Sequence, residues 1–271
     1  MRRLLFACCA VWLAPPSVAP AQTGPEPTLI LTLFGGATTG HTLWHTPSQP
    51  LCVFAANLQC SSQYDTLELT RDINPSIVFG ASGVYFRSPH VGIEAEILFL
   101  GLPFDDTCRV VYDNPDPNQT NEDVCLNVSA ASLSTSAISF YGGVVFRASP
   151  RHAISPYLRA GFGIVTHSGG TIEMSGVFQD SSQNVFSRSI IEDPNPKSTS
   201  LSFKVGTGFT GRLSPGYQFR LEVSDAIIPL ERVVGPANDR AIAPTATHTY
   251  HHLVLTMGLD VVLEKKRGRR Y

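Results

Sequence analysis

Two adjacent histidines, His251 and His252, are the side chains of this sequence best suited to act as a hydrolytic base. A hydrolytic site needs a nucleophile and an oriented base that meet in one place. These histidines lie in an alternating run, where neighbouring side chains point to opposite faces of a strand, so they cannot easily serve one site. The sequence also lacks a phosphate-binding glycine loop followed by a helix, a His-Glu-x-x-His helix and a Gly-x-Ser-x-Gly elbow. We predict rim histidines and a protein that is not an enzyme.

Clustered carboxylates mark the segment from Gly101 to Ala131, where a single basic residue, Arg109, accompanies them. The acidic residues are Asp105, Asp106, Asp113, Asp116, Glu122 and Asp123. Such clusters can bind calcium, but the regular Asp-x-Asp-x-Asp-Gly spacing is missing. We therefore predict a solvated acidic loop, with no metal and no cofactor.

Six cysteines are present, and the four beyond residue 21 form two local pairs. In an exported chain this spacing favours two loop disulfides, Cys52 with Cys60 and Cys108 with Cys125. Metal binding is the alternative, although it prefers Cys-x-x-Cys spacings with nearby histidine. Other pairings of the same four cysteines stay open.

The N-terminal residues have the order of a secretory signal peptide: Arg2 and Arg3, an apolar stretch, then small residues ending at Ala21. We expect cleavage after Ala21, which makes residues 1–21 a signal peptide. Charged residues make up only 15% of the chain, against about 25% in ordinary domains. The net charge of −2 carries no signature of polyanion binding, so nucleic acid is not an expected partner.

Alternation with a period of two recurs along the chain, and this pattern predicts half-buried strands. It is clearest from His252 to Glu264, where one face is apolar and the other mixes small, polar and charged residues. Seven further runs cover residues 28–38, 76–87, 91–99, 134–147, 154–164, 201–209 and 217–224. Their length, about ten residues, suits strands that cross a membrane at a tilt.

The connections between these runs alternate strictly between long and short. Three are short and carry a Ser-Pro turn, at residues 87–90, 148–152 and 213–216. Four are long, at residues 40–75, 101–131, 166–199 and 227–248. This asymmetry is typical of bacterial outer-membrane barrels, which have short periplasmic turns and long extracellular loops.

On these features the chain resembles the small eight-stranded bacterial outer-membrane β-barrel family, which includes the transmembrane domain of outer-membrane protein A. The resemblance covers essentially all of residues 28–264. It implies an all-β fold, an eight-stranded antiparallel up-and-down transmembrane β-barrel with short periplasmic turns and long extracellular loops. The predicted barrel occupies residues 22–264, and residues 265–271 form a basic periplasmic tail. A soluble barrel with an apolar interior is the alternative, but the polar face carries too few charges to favour it.

With the apolar face toward lipid, charged side chains of the other face point into the barrel. We predict an interior salt-bridge network that plugs the lumen, because buried charges are tolerable only when paired. Its members are Glu94, Glu96, Arg159, Lys204, Arg220, Glu222 and Asp260. Arg147 and Arg212 are expected at the wet periplasmic rim instead.

The resemblance implies a role in outer-membrane integrity or surface contact. We expect a non-catalytic, monomeric protein of the bacterial cell outer membrane, whose partners are membrane lipids and an extracellular ligand bound by the loops. A lipid-modifying outer-membrane enzyme and a small-solute pore are the alternatives.

Overall fold

The computed structural model describes residues 28–52, 64–112, 120–129, 134–150, 152–167, 170–179, 183–196, 198–238 and 240–264. The predicted signal peptide, the basic tail and Cys60, and with Cys60 the predicted Cys52–Cys60 disulfide, lie outside these residues. None of the helices among them is long and apolar enough to span a membrane.

Eight antiparallel strands close into a barrel, which confirms the predicted fold class. They are β1 (Thr28–Thr38), β4 (Ser76–Phe86), β5 (Val91–Leu102), β7 (Thr135–Arg147), β8 (Ile154–His167), β11 (Thr199–Ser214), β12 (Tyr217–Val233) and β13 (Thr245–Glu264). Each strand pairs with the next barrel strand along the chain, and β1 pairs with β13 to close the ring, with Thr28 opposite Glu264.

Side chains of the barrel alternate between an apolar outer surface and a closely filled interior. On β5, Ile93 and Ile97 face outward while Glu94, Glu96 and Leu98 are buried inside. Every other barrel strand also turns apolar side chains outward. Examples are Leu33, Ile77, Phe140, Phe162, Leu201, Val223 and Met257. We call this outward-facing apolar surface the apolar belt.

Tight turns join the barrel strands at one end. The connection from β11 to β12 consists of Pro215 and Gly216 alone, and Gly216 has a φ of 85°. Only glycine adopts this left-handed conformation without strain, so the turn depends on it. Gly163 is required for a different reason, because β8 lies very close to β7 at this point. An added Cβ would lie 1.8 Å from the Phe140 carbonyl oxygen.

The opposite end carries an ordered structure that we call the outer head. It comprises β2 (His41–Cys52), β3 (Tyr64–Ile73), β6 (Phe104–Tyr112), α1 (Thr120–Leu126), β9 (Met174–Gln179) and β10 (Val185–Ile191). A three-stranded sheet has the order β2-β3-β6, and β9 pairs with β10 as a hairpin. The disulfide predicted between Cys108 and Cys125 is confirmed and joins β6 to α1.

The sequence interpretation treated these connections as loops, and the structure corrects it. Leu67, Leu69 and Ile73 alternate along β3 and are buried. They pack with Leu100, Val165 and Val254 of the barrel in one apolar cluster. The head therefore shares its core with the upper interior of the barrel, and the strands β12 and β13 continue into it beyond their predicted limits.

Candidate functional site

The charged residues predicted to line the lumen all lie on the inner face of the barrel. β5 supplies Glu94 and Glu96, β12 supplies Arg220 and Glu222, and the remaining three come from three other strands. These are Arg159 of β8, Lys204 of β11 and Asp260 of β13. Because side chains alternate between the two faces of a strand, the position of each of these residues along its strand is enough to turn its side chain inward.

Arg159 is the centre of a cluster of ion pairs. Its Nη2 lies 2.8 Å from Glu94 Oε1 and also contacts Glu96, while its Nη1 lies 2.9 Å from Glu222 Oε2. Lys204 Nζ lies 2.7 Å from Glu96 Oε1 and 3.4 Å from Glu222 Oε1. One guanidinium and one ammonium thus link three carboxylates that come from two different strands.

A second ion pair lies beside this cluster. Arg220 Nε is 3.1 Å from Asp260 Oδ1, and the Thr32 hydroxyl donates a hydrogen bond of 2.8 Å to the same oxygen. Tyr157 donates to Glu222 Oε2 at 2.7 Å. The sequence interpretation missed Thr32 and Tyr157, although both occupy inward positions of their strands and this parity was the signal that could have found them.

All seven charged side chains are at least 94% buried, so the cluster occupies the interior rather than lining open space. Arg147 lies toward the turns, with its guanidinium 3.6 Å from the centre of the Phe86 ring. Arg212 is exposed next to the β11–β12 turn. The structure therefore places these two arginines near the turns.

The two adjacent histidines point in opposite directions. His251 is exposed, and its Nδ1 lies 2.6 Å from Asp225 Oδ2. His252 is fully buried, with its ring centre 4.7 Å from that of His41. The rim position predicted for His252 is wrong, because the head covers the mouth of the barrel where this inward side chain lies. No described group forms a hydrogen bond with either ring nitrogen of His252.

His41 occupies the first position of β2, above the apolar belt, and stacks on Tyr250 with ring centres 5.1 Å apart. Burial lowers the pKa of His41 from its usual value of 6.5, and the nearby Asp72 carboxylate partly offsets this. Neither of its ring nitrogens has a hydrogen-bond partner among the described residues. The contact between His41 and His252 joins the head to the barrel.

The outer head contains a buried ion pair that the sequence interpretation did not anticipate. Arg71 of β3 donates from Nε and Nη2 to the two carboxylate oxygens of Asp106, each at 2.6 Å. The guanidinium also contacts the Glu173 carbonyl and lies 4.7 Å from the centre of the Phe104 ring. The signal was available in β3, where Arg71 falls on the same face as the apolar residues at 67, 69 and 73.

The acidic segment is correspondingly different from a solvated loop. Asp105 and Asp106 belong to β6, and Glu122 and Asp123 lie in the first turn of α1. Asp113 and Asp116 are outside the described residues. Within the described ranges, no group of three or more His, Cys, Asp or Glu side chains is arranged to hold a metal ion.

Comparison with solved structures finds similarity to outer-membrane β-barrels. No family model matches the chain, and no curated protein matches it significantly. The β-barrel domain of Pseudomonas aeruginosa OprF is 8% identical with a TM-score of 0.36, and covers 87% of this chain and 97% of its own. Neisserial surface protein A is 10% identical with a TM-score of 0.38, and the match covers 86% of this chain and 96% of that protein. The Escherichia coli outer-membrane protease OmpT is 9% identical with a TM-score of 0.38, and the match covers 91% of this chain and 99% of that protein.

The class of the protein follows from its own strand pairing. Eight antiparallel strands form a closed barrel with an apolar outer surface and a polar, filled interior. Tight turns connect the strands at one end, and long connections fold into a head at the other. This is the architecture of an eight-stranded outer-membrane β-barrel.

Proposed function

We propose that this protein is a non-catalytic barrel of the bacterial outer membrane that presents a folded head at the cell surface. Its lumen is plugged by side chains, and the head is the binding surface. The observation that carries the proposal is the continuous filling of the interior, first by the ion-pair cluster and then by the core shared with the head.

The apolar belt supports insertion into lipid. Leu33, Ile77 and Phe162 are each about 70% exposed on the outer surface, and similar side chains surround the barrel. A soluble protein rarely exposes so large a continuous apolar surface, whereas a membrane barrel requires one. The belt therefore supports the membrane location and the lipid partners expected from the sequence.

The interior supports a plug rather than a channel. An eight-stranded barrel is just wide enough for side chains to fill it. Arg159 and Lys204 span the lumen to carboxylates on β5 and β12. Beyond them Leu98, Val165 and Val254 are fully buried beneath the head.

The lipid-modifying enzyme remains the weaker candidate. A histidine base needs a partner that orients it and a nucleophile within hydrogen-bond reach. His252 has neither among the described residues, and His251 pairs with Asp225 on the outer face. This arrangement supports the non-catalytic proposal.

Conductance tests the plug. The purified protein in planar bilayers is expected to show no stable channels. A variant with Glu94, Glu96, Arg159, Lys204 and Glu222 all replaced by serine removes the central cluster without leaving those charges unpaired, and is also expected to stay closed, because the core shared with the head still fills the upper lumen. Stable channels formed by the unmodified protein would overturn the plug. Heat-modifiability on a detergent gel verifies that both proteins form barrels.

Surface labelling tests the orientation. Val185 in the head and Arg87 in a short turn are both exposed, at opposite ends of the barrel. With an impermeant maleimide on intact cells, Val185→Cys is expected to label above the unmodified background and Arg87→Cys is not. The reverse pattern would invert the orientation, and labelling of neither in folded protein would place the head away from the cell surface.

A further inference from the structure

A half-open groove of about 390 Å³ lies in the outer head, between β2 and the end of β12. One wall is formed by residues 44–48 and the other by residues 232–236. Its size is within the range of small-molecule sites, roughly 300–1,000 Å³. Neither the lumen cluster nor the apolar belt contributes to it.

The backbone of the groove is held in place by specific contacts. The pairing of β2 with β3 shifts between Thr46 and Gln49, so that Pro47 and Ser48 have no partner on β3 and bulge outward. The buried Gln49 side chain then accepts a hydrogen bond of 2.7 Å from the Ala237 amide and donates one of 3.4 Å to its carbonyl. These two bonds fix the first wall against the second.

Arg232 gives the groove a positive charge. It forms no ion pair with any described carboxylate, and its buried Nε has no hydrogen-bond partner there. The Tyr250 hydroxyl lies close enough to interact with the guanidinium and helps to position it. Glu68, which contacts the groove residue His45, is already paired with Arg109. A half-buried cation with no ion-pair partner among the described residues favours an anionic ligand.

The opposite wall carries groups that a ligand in the groove can reach. Ser48 adds an exposed hydroxyl on the bulge, and Pro47 and Val234 add apolar surface beside it.

We propose that this groove binds a small carboxylate-bearing sugar, with Arg232 pairing with the carboxylate and the exposed Ser48 hydroxyl bonding to a ring hydroxyl. One guanidinium balances the single charge of a carboxylate, whereas a phosphate monoester carries −1.5 to −2 at neutral pH. Pro47 and Val234 cover the apolar side of the sugar. The inference rests on the proposed role of the head as a surface-exposed binding structure.

Trp44 provides the measurement, because it lines the groove and is the only tryptophan after residue 21. Full-length protein in detergent is titrated with glucuronate, with glucose and with inorganic phosphate while tryptophan fluorescence is recorded. Glucuronate is expected to give a saturable change, and neither glucose nor phosphate is expected to do so at the same concentrations.

Three variants assign the binding to the groove. Arg232→Gln is expected to weaken glucuronate binding at least tenfold, because the charge-assisted hydrogen bonds are lost. Ser48→Ala removes only the exposed hydroxyl and is expected to weaken glucuronate binding several-fold. Arg87→Gln, in a turn at the other end of the barrel, is the matched control and is expected to bind like the unmodified protein. Heat-modifiability verifies folding, and Ser48→Ala carries the test if Arg232→Gln does not fold.

The proposal fails if glucuronate gives no saturable signal, if glucose or phosphate binds equally well, or if neither groove variant weakens binding. Because the titration uses purified protein, its failure together with successful labelling of Val185→Cys on cells would reject this groove and leave the proposed surface location standing.

Discussion

Arg71 and Arg109 lie on neighbouring strands of the head sheet, and each pairs with a carboxylate in a different environment. Arg71 and Asp106 are 1% and 2% exposed, whereas Arg109 is 75% exposed and its partner Glu68 is 26% exposed. Water screens the exposed pair of Arg109 and Glu68, so this pair contributes little to the stability of the protein. Asp106, by contrast, would be a buried charge without compensation if Arg71 were lost.

Replacing Arg71 with leucine is expected to destabilise the protein by about 3–5 kcal/mol, because Asp106 is left buried and unpaired. Replacing Arg109 with leucine is the matched control and is expected to cost at most about 1 kcal/mol. Urea unfolding followed by Trp44 fluorescence measures the free energy of unfolding of both variants. Trp44 reports on the head because Arg71 lies 5.6 Å from its ring. Equal losses in the two variants would contradict the assignment of Arg71 as the structural cation of the head.

At the scale of elements, the head depends on how β2 is attached to β13. The attachment brings His41 of β2 against His252 and Tyr250 of β13. Further along β2, Trp44 donates from its indole nitrogen to the Thr171 carbonyl at 3.2 Å. The first contact includes a histidine whose pKa is lowered by burial, so it is sensitive to protonation, whereas the second contact is not.

Acid is therefore expected to loosen the head. The folded pKa of His41 is below its unfolded value of 6.5, so the unfolded chain binds more protons at mildly acidic pH. The stability associated with neutral His41 is complete above pH 6.5 and is lost as the pH falls from there toward the folded pKa. Protonation would also place a positive charge beside the His252 ring.

Thermal unfolding followed by Trp44 fluorescence at pH 7.5 and pH 5.5 measures this effect. His41→Gln is expected to reduce the difference between the two conditions, whereas His90→Gln, in a short turn at the other end of the barrel, is expected to preserve it. An unchanged pH dependence in His41→Gln would show that other groups cause it.

The whole molecule combines a lipid-facing barrel with a head that shares its core. The outer face of β13 from Leu253 to Leu263 belongs to the apolar belt, and Leu259 lies within it. Val185 of the head is 70% exposed but lies outside the barrel. Both apolar side chains are exposed, but only Leu259 lies on the surface that faces lipid.

Leu259→Arg is expected to destabilise the folded barrel by about 2–4 kcal/mol in lipid vesicles, because an arginine must enter the hydrocarbon. Val185→Arg is expected to change stability by no more than about 0.5 kcal/mol. Urea unfolding from vesicles measures both variants. A cost at Leu259 no larger than that at Val185 would mean that the apolar belt does not face lipid.

The sequence by itself determined the barrel, because the period of two is a local property of each strand. The parity that turns Leu255 and Met257 outward turns Asp260 inward, and the same rule places Glu94 and Glu96 on the interior face. The alternation of short and long connections also predicted the up-and-down order. Neither conclusion required knowledge of which distant residues meet.

Only the tertiary structure decided the head and its sites. Arg71 meets Asp106 across 35 residues, Trp44 meets Thr171 across 127, and Gln49 meets Ala237 across 188. No local pattern specifies such pairings, so segments that form β2, β3 and β6 were interpreted as loops, and His252 was placed at the rim of the barrel. Burial in the head arises from the packing of four separate connections against one another, and a side chain's environment there is set by partners that its own neighbours in sequence do not reveal.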